Sequence, residues 1–381
     1  MNIGPIPASL LLMFTSSKSH WLRRPGRSIG VAAIGMIAVA LLCSAEVRAA
    51  TQPTAEQKLK ATPFKIAWEA YANGNSDIWI MNADGSGKVN LTQTPNINEH
   101  YPQISPDGTK IAFNVDAGEG RSAVRSLWIM DIDGTHRKKI ADQAREPFWR
   151  PDGKVLGYLP QEYEKFAVID YYTKGMMFYH LDTGKTEPHV NSANLRHLYH
   201  PRFSPNGKWI VSTVHGGMGF SHAILLIQSD GDKIINLKIP GCRPSISPDG
   251  QHIAWGSGDH EIDTAPIDTD SDNPSVGPWQ MRIQDEKNKV YHIAWSPDGK
   301  FVSFSRGPDG EGDLQKKGTF QAACEIIGVY ATDWNIFAVP ADHPRVVNLE
   351  TCGPADVEQL TKTGDSNKEP AWFIPAKQGK E

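Results

Sequence analysis

A four-residue turn recurs five times along the 381-residue chain, and it restricts the possible folds more than any other feature. Each copy reads Ser or Arg, then Pro, then Asp or Asn, then Gly, and the copies begin at Ser105, Arg150, Ser204, Ser247 and Ser296. Pro presets φ at about −65°, Asp or Asn accepts a local hydrogen bond, and Gly supplies the positive φ that reverses the chain. Successive prolines are 43 to 54 residues apart, which matches one four-stranded propeller blade. The spacing predicts an all-β repeat protein.

The segments around these turns carry the alternation of buried strands. Three and five residues after each Gly stand residues that are apolar except for one serine, namely Ile111, Phe113, Leu156, Tyr158, Ile210, Ser212, Ile253, Trp255, Val302 and Phe304. A further strand with a closing turn is predicted at 78–85, 127–134, 177–184 and 224–231, with weaker copies at 279–286 and 336–343. A short outer strand such as 89–92 would complete each blade. Six copies predict six blades.

The two ends of the repeat region complement each other. Residues 64–68 resemble the strand that should follow a Pro-Asp-Gly turn, and residues 369–375 resemble the strand that should precede one. Pairing them removes the free edges that an open sheet would expose. We therefore predict a six-bladed β-propeller of four-stranded blades, closed by pairing of its N- and C-terminal strands.

The turn with its flanking strands, and the Ile-Trp-x-Met-Asn-x-Asp-Gly strand at 78–85, resemble the TolB-like propeller repeat, a WD40-like repeat. The resemblance covers about residues 64–375. It implies the six-bladed fold and leaves the function open, because the repeat occurs in proteins with unrelated functions. The Tol-system protein of the periplasm carries an additional α/β domain before its blades, and we expect this chain to lack one.

The first 49 residues have the pattern of a secretory signal peptide. Residues 21–27 are basic, residues 29–42 are an uncharged apolar run, and Val47-Arg48-Ala49 is a small-residue cleavage pattern. A retained membrane anchor is the weaker alternative because a span needs about 20 apolar residues. Lipidation at Cys43 is disfavoured by the bulky Leu42 before it. The chain is therefore expected to be periplasmic or secreted, and not integral to the membrane after cleavage.

Cleavage after Ala49 would leave a short lead-in at 50–63, the propeller at 64–375 and a tail at 376–381. Residues 50–381 contain 34 Lys and Arg against 42 Asp and Glu, a formal charge of −8. A mildly acidic surface does not suit a phosphate backbone, so nucleic acid is not the expected partner.

The last repeat unit is longer than the others. Its insertion at about 307–333 is rich in Gly and charged residues, which predicts a projecting loop, with a lid over one mouth of the ring as the alternative. Of the cysteines that would remain after cleavage, Cys324 and Cys352 lie within this unit and Cys242 outside it. Export would permit a disulfide between Cys324 and Cys352.

Aligning the repeats predicts where ligand-binding residues gather. At the position just before the start of each inner strand stand Tyr101, Glu146, His200, Arg243, His292 and Glu369. One residue earlier stand His100, Arg145, Tyr199, Cys242, Tyr291 and Lys368. Because each comes from a different blade, we expect a central funnel suited to an anionic or carbohydrate-like ligand or to a peptide end. The alternative is a hydrated channel whose side chains pair with one another.

Evidence for a metal or cofactor is weak in the sequence. Asp268, Asp270 and Asp272 alternate like the oxygen ligands of a calcium loop, but the Gly and distant Glu of that motif are missing, so a solvated acidic loop is favoured. His215 and His222 could bind zinc, although no zinc motif supports them. We therefore predict no cofactor, with a divalent metal as the remaining alternative.

Three hypotheses about function follow. The chain lacks a G-x-S-x-G motif, a Gly-rich phosphate loop and a dinucleotide fingerprint. We favour an exported, non-catalytic propeller that binds a protein or cell-envelope ligand on its central face. The alternative is a propeller enzyme, a metal-assisted lyase or hydrolase acting on acidic oligosaccharides, in which His100, His200 and His292 hold the metal and Arg145 and Arg243 neutralise a carboxylate. A purely structural or sensor propeller is the third.

Overall fold

The computed structural model describes residues 52–118, 124–162, 172–308, 332–342 and 345–376. The predicted signal peptide, most of the predicted insertion, Cys324 and residues 377–381 lie outside this range. The described residues form six sheets of at least four strands, one for each predicted blade, and the named strands pair antiparallel except for one parallel pair in blade 5.

The blades follow one another along the chain, except that the last strand returns to the first blade. Blade 1 contains β1 (Lys65–Ala72), β2 (Asn75–Asn82), β3 (Val89–Asn90) and β26 (Ser366–Phe373). Blade 2 contains β4 (Asn98–Ile104), β5 (Lys110–Ala117), β6 (Val124–Asp131) and β7 (Lys138–Asp142). Blade 3 contains β8 (Ala144–Trp149), β9 (Val155–Pro160), β10 (Met177–His180) and β11 (Thr186–Pro188).

The second half of the ring has one enlarged blade. Blade 4 contains β12 (Leu198–Phe203), β13 (Trp209–Gly217), β14 (Phe220–Gln228) and β15 (Ile234–Asn236). Blade 5 contains β16 (Cys242–Ile246), β17 (His252–Gly258), β18 (Glu261–Asp268), β19 (Ser275–Val276), β20 (Met281–Gln284) and β24 (Arg345–Asn348). Blade 6 contains β21 (Asn288–Trp295), β22 (Phe301–Pro308), β23 (Asn335–Pro340) and β25 (Glu358–Gln359).

Blade 1 closes the ring as predicted. Its innermost strand is β26, which pairs antiparallel with β1 from Lys65 opposite Phe373 to Tyr71 opposite Ser366. The indole Nε1 of Trp68 donates to Oδ1 of Asn367 at 3.0 Å, so a buried side-chain hydrogen bond reinforces the joint. The predicted closure of the ring by its two terminal strands is confirmed.

The Pro-Asp-Gly turns connect each inner strand to the next strand outward. In the first turn, the hydroxyl of Ser105 donates to Oδ1 of Asp107 and its oxygen accepts the amide of Lys110 at 2.9 Å. Gly108 has φ of +71°, which a side-chain-bearing residue adopts only with strain. The space around Gly108 is a second constraint on this position, because a Cβ at residue 108 would lie 2.2 Å from the carbonyl oxygen of Ile374.

The hydrophobic core lies between neighbouring blades. Ile78 of blade 1, for example, packs with Ile111 and Phe113 of blade 2, and all three are at most 1% exposed. One face of a blade cannot be covered by the blade itself, so stability depends on the neighbours. The predicted alternating positions are therefore buried.

One strand assignment in blade 5 was wrong. Residues 279–286 were expected to form the third strand, but β18 occupies that position and β20 pairs with it on the outer side, with Glu261 opposite Gln284. The reason is that β18 carries acidic residues and Pro266, which hide its strand pattern. β24, from the outer connection of blade 6, then adds parallel to β20 and extends the blade.

The lead-in contributes a short helix, α1 (Ala55–Lys60), with a capping box between Thr54 and Gln57. Leu59 is fully buried among the residues of blades 1 and 6, so this helix seals the outer side of the closed joint. In the part of the chain that the structure describes, no helix is long and apolar enough to cross a membrane.

Candidate functional site

Six predicted site residues share an unusual backbone conformation. Each lies inside an inner strand, and each has positive φ, between 49° and 58°: Tyr101, Glu146, His200, Arg243, His292 and Glu369. Their expected place just before the strand was therefore wrong. The ladder shifts register at each of these positions, as between His100 and Gln103 in blade 2. Such bulges change the direction in which a side chain leaves the strand. The contacts described below join residues of non-adjacent blades, so these side chains must lie at the ring axis.

Polar side chains of the preceding blade hold the backbone amides at these bulges. The amide of Tyr101 donates to Oε2 of Glu69 at 2.8 Å, and the amide of Glu146 donates to Oδ1 of Asn114 at 2.9 Å. The amide of Arg243 donates to Oγ1 of Thr213 at 3.0 Å. These bonds fasten neighbouring blades together at the axis.

The sequence analysis missed these acceptors, although a signal was present. Asn114 and Thr213 both stand six residues after the turn glycine, where a polar residue interrupts an apolar strand. In blade 3 the same position is Leu159, which cannot accept a hydrogen bond. There the amide of His200 donates instead to the carboxylate of Glu146.

Glu369 joins three blades at the axis. Its Oε2 lies 3.5 Å from Nε2 of His200, and its Oε1 lies 3.4 Å from Nε2 of His292. Burial, together with the charges of Glu69 and Glu146, raises the pKa of Glu369 well above its usual range. Burial and nearby cations hold the pKa values of His200 and His292 well below theirs. At neutral pH the two histidines are therefore uncharged, and the shift at Glu369 favours the protonated form of its carboxyl group.

A second cluster lies beside it, around His100. Nδ1 of His100 is 3.6 Å from Oε2 of Glu69, and Nε2 is 3.7 Å from Oδ2 of Asp116. Arg125 binds Asp116 with two hydrogen bonds of 2.6 Å. Burial alone would raise the pKa of Asp116, but Arg125 outweighs it and lowers that pKa. The charge of Asp116 is therefore paired with that of Arg125 within the protein.

A series of aromatic and cationic side chains, which we call the aromatic–cation arc, runs through blades 4, 5, 6 and 1. The Arg243 guanidinium lies 5.5 Å from the ring centroid of Tyr199 and 5.2 Å from that of Tyr291. The Tyr291 ring stacks on Trp334 at 6.1 Å with an interplanar angle of 2°. Nζ of Lys368 then lies 5.2 Å from the Trp334 ring. Trp334 was not foreseen because it belongs to the region of the insertion and not to the aligned inner strands.

The predicted residues thus come together, and most of them are buried. His100, Arg145, Glu146, Tyr199, His200, His292, Lys368 and Glu369 are buried, Cys242 is partly exposed, and so are Tyr101, Arg243 and Tyr291. Arg145 has no exposed surface. A ligand approaching the ring would therefore meet the partly exposed residues first.

The weaker candidates do not join this cluster. Oδ1 of Asp268 accepts the amides of Asp270 and Ser271 at 3.0 and 3.1 Å, as in a turn, and Oδ1 of Asp270 accepts from Asn206. No group of three or more His, Cys, Asp or Glu in the described ranges is arranged to hold a metal ion.

The remaining sequence predictions concern histidines and cysteines. His215 and His222 face each other across the β13–β14 hairpin with ring centroids 5.2 Å apart. Cys242 and Cys352 are not bonded to each other. Because Cys324 lies outside the described residues, its disulfide with Cys352 stays a prediction.

Comparison with known proteins supports the architecture. No protein-family model matches the sequence. TolB from Acinetobacter baumannii aligns with a TM-score of 0.54 and 16% identity, over 81% of this chain and 66% of that structure. The uncharacterized peptidase YuxL of Bacillus subtilis is 28% identical over 165 residues, 36% of this chain and 24% of that protein.

Tricorn protease homolog 1 of Streptomyces coelicolor is 30% identical over 112 residues, 28% of this chain and 10% of that protein. The matched segments therefore span a quarter or less of these two curated relatives. With the six closed blades described above, these similarities show a β-propeller related in fold to TolB and in sequence to segments of peptidases. By fold, the chain is a six-bladed β-propeller structurally similar to the propeller of TolB.

Proposed function

We propose that this chain is an exported, non-catalytic propeller that binds a protein or cell-envelope ligand on its central face. The observation that carries the proposal is the aromatic–cation arc, in which Arg243 lies between Tyr199 and Tyr291. Arg, Tyr and Trp dominate the residues that contribute most to protein interfaces. Two of the arc residues, Arg243 and Tyr291, are partly exposed and can contact a partner directly.

The buried axis beneath the arc supports binding over metal-assisted catalysis. Charges of Arg202 and Arg243 are among the causes that lower the pKa of His200, and charges of Arg243 and Lys368 act likewise on His292. The same cations would repel a divalent metal placed between the two histidines. The enzyme hypothesis therefore has the less favourable electrostatics at its proposed metal site.

Export is the second part of the proposal and rests on the sequence pattern of residues 1–49. Expression of the full chain followed by mass spectrometry of the product tests it. We expect a chain that begins at Ala50 and is recovered outside the cytoplasm. If the product is found in the cytoplasm and still contains residues 1–49, export is contradicted, whereas the binding proposal is unaffected.

Binding is tested by affinity capture from an envelope extract with chelator present throughout. We expect capture of a specific component to be lost with Arg243→Gln and with Tyr291→Ala. The matched control is Trp279→Ala, because Trp279 is 51% exposed and lies 5.5 Å from a guanidinium, that of Arg282, on the outer part of blade 5. Capture that is equally reduced by the control, or that needs a divalent metal, would contradict the proposal.

A further inference from the structure

The axis contains buried polar atoms that make no hydrogen bond. Both ring nitrogens of His200, Nδ1 of His292 and Oε1 of Glu369 have no hydrogen-bond partner among the residues that the structure describes. Nε2 of His200 and Oε1 of Glu369 have only the contacts of 3.5 and 3.4 Å given above. These three residues are at most 5% exposed. Because burying polar groups without partners is costly, such a cluster is typical of a site that another molecule completes.

The charge at this cluster favours an anion. Arg202, Arg243 and Lys368 act electrostatically on the cluster, the two histidines are neutral, and burial favours the protonated form of Glu369. Glu146 lies on the other side and is engaged by the amide of His200. Glu69 is engaged by the amide of Tyr101 and by His100. Both carboxylates are therefore engaged within the protein, and the cluster is also lined by cations and neutral hydrogen-bonding groups.

The shape of the approach restricts how the anion can enter. Buried side chains surround the cluster, and the partly exposed Tyr101, Arg243 and Tyr291 lie around it. A polymer that carries a charge on every unit needs an open groove, whereas a chain end can enter by its tip. The flanking tyrosines fix the Arg243 guanidinium, and a fixed planar guanidinium suits a carboxylate with two parallel hydrogen bonds.

We propose that the ring axis receives the free C-terminal carboxylate of a protein partner, with Arg243 as its charged anchor and His200, His292 and Glu369 as the hydrogen-bonding groups. This inference rests on the proposed function, since it names the group by which the bound partner is recognised. Internal segments of the partner would contact the aromatic–cation arc but could not enter the axis.

Binding of the carboxylate is linked to protons. The charged groups that act on Glu369 and the two histidines are Glu69, Glu146, Arg202, Arg243 and Lys368, and Tyr101 acts on Arg202. An additional negative charge among them stabilises the protonated forms of Glu369 and of both histidines. Binding therefore takes up protons, and the affinity for the carboxylate falls as pH rises.

The experiment uses isothermal titration calorimetry of the full chain with N-acetyl-glycyl-phenylalanine as the free acid and as its C-terminal amide. We expect the acid to bind at least about tenfold more tightly, the effect of one charge-assisted hydrogen bond. Arg243→Gln should remove this preference, while Trp279→Ala should keep it. Equal binding of acid and amide would overturn the inference.

Two further arms separate the alternatives. The wild-type affinity for the free acid should fall as pH rises, and Glu369→Gln should flatten that fall because an amide cannot lose the proton. A pH profile unchanged by Glu369→Gln would contradict the role of this residue. Binding of an acidic disaccharide such as digalacturonate in place of the peptide acid would overturn the protein chain end in favour of a sugar.

The outcomes also distinguish this inference from the proposed function. If envelope capture depends on Arg243 but the peptide acid and amide bind alike, the central face binds a partner and the chain-end inference is wrong. If capture is insensitive to Arg243 and Tyr291 as well, the proposed function is wrong too.

Discussion

The left-handed residue in the inner strand of blade 2 offers a direct test of the bulge geometry. Tyr101 has φ of +54°, where a Cβ costs about 1–2 kcal/mol. Gly has no such cost, but it loses about 0.5–1 kcal/mol more than Ala in backbone entropy on folding. The difference predicts that Tyr101→Gly is more stable than Tyr101→Ala by about 0.5–1 kcal/mol. Both variants remove the same ring, so only the backbone term separates them.

Equilibrium urea unfolding of the two variants measures this difference. The control pair is Trp79→Ala and Trp79→Gly, at a half-buried aromatic in β2 that is not among the residues with positive φ. There the order reverses, and the Ala variant should be the more stable by about 0.5–1 kcal/mol. If Ala is the more stable replacement at both positions, the left-handed conformation of Tyr101 and the argument from it are refuted.

Three further predictions concern buried positions. Asn114→Leu should lower the free energy of unfolding by about 2–4 kcal/mol, since it leaves a buried amide and carbonyl groups without partners. Gly157→Ala should destabilise by at least about 1–3 kcal/mol, because its Cβ would lie 2.3 Å from the ring of Phe148, whereas Gly258→Ala meets nothing within 4 Å. Burial raises the pKa of Glu99 from 4.5 to about 7, so its contribution to stability is present in acid and lost as pH rises through 7. Glu99→Gln should therefore gain up to about 3 kcal/mol relative to wild type above that pH.

The free energy of unfolding is measured by urea titration, at one fixed pH for the Asn114 and glycine variants and at several pH values for Glu99→Gln. Asn82→Leu, at an exposed asparagine in β2, is the control for Asn114 and should change stability by less than about 0.5 kcal/mol. Equal losses at the two glycines would contradict the ring contact. A pH profile that Glu99→Gln leaves unaltered would contradict the raised pKa.

The ring could be predicted because its signals are local. Each Pro-Asp-Gly turn fixes its own backbone, and the alternating strands after it need no knowledge of distant residues. Closure followed from two half-repeats at the ends of the region. The error in blade 5 has the same origin, because β18 contains Glu261, Asp263 and Pro266 and so lacks the local pattern, and only its pairing with β17 and β20 identifies it.

The sequence indicated which residues gather at the axis, but not where they lie in their strands or whether they are buried. Alignment of the repeats grouped residues that the structure brings together, although they lie inside the inner strands and not just before them. It could not reveal that most of them would be buried, nor that Glu69 of the preceding blade and Asp116 of the neighbouring strand would contact His100, since these contacts join residues that are distant in the sequence. Trp334 and Arg202 stand outside the aligned positions and were missed for the same reason.

The bulges separate the bonds that fasten the blades from the side chains at the axis. These bonds use the backbone amide at the bulge, as at Tyr101 and Arg243, so the bond itself does not depend on the side chain of the bulge residue. Glu146 is the exception, because Leu159 offers no acceptor and the Glu146 carboxylate must hold the amide of His200. We therefore expect Glu146→Ala to lower stability, and changes at Tyr101 or Arg243 to alter binding first. Ligand specificity in this ring should be sought at the bulge residues whose side chains have no structural role.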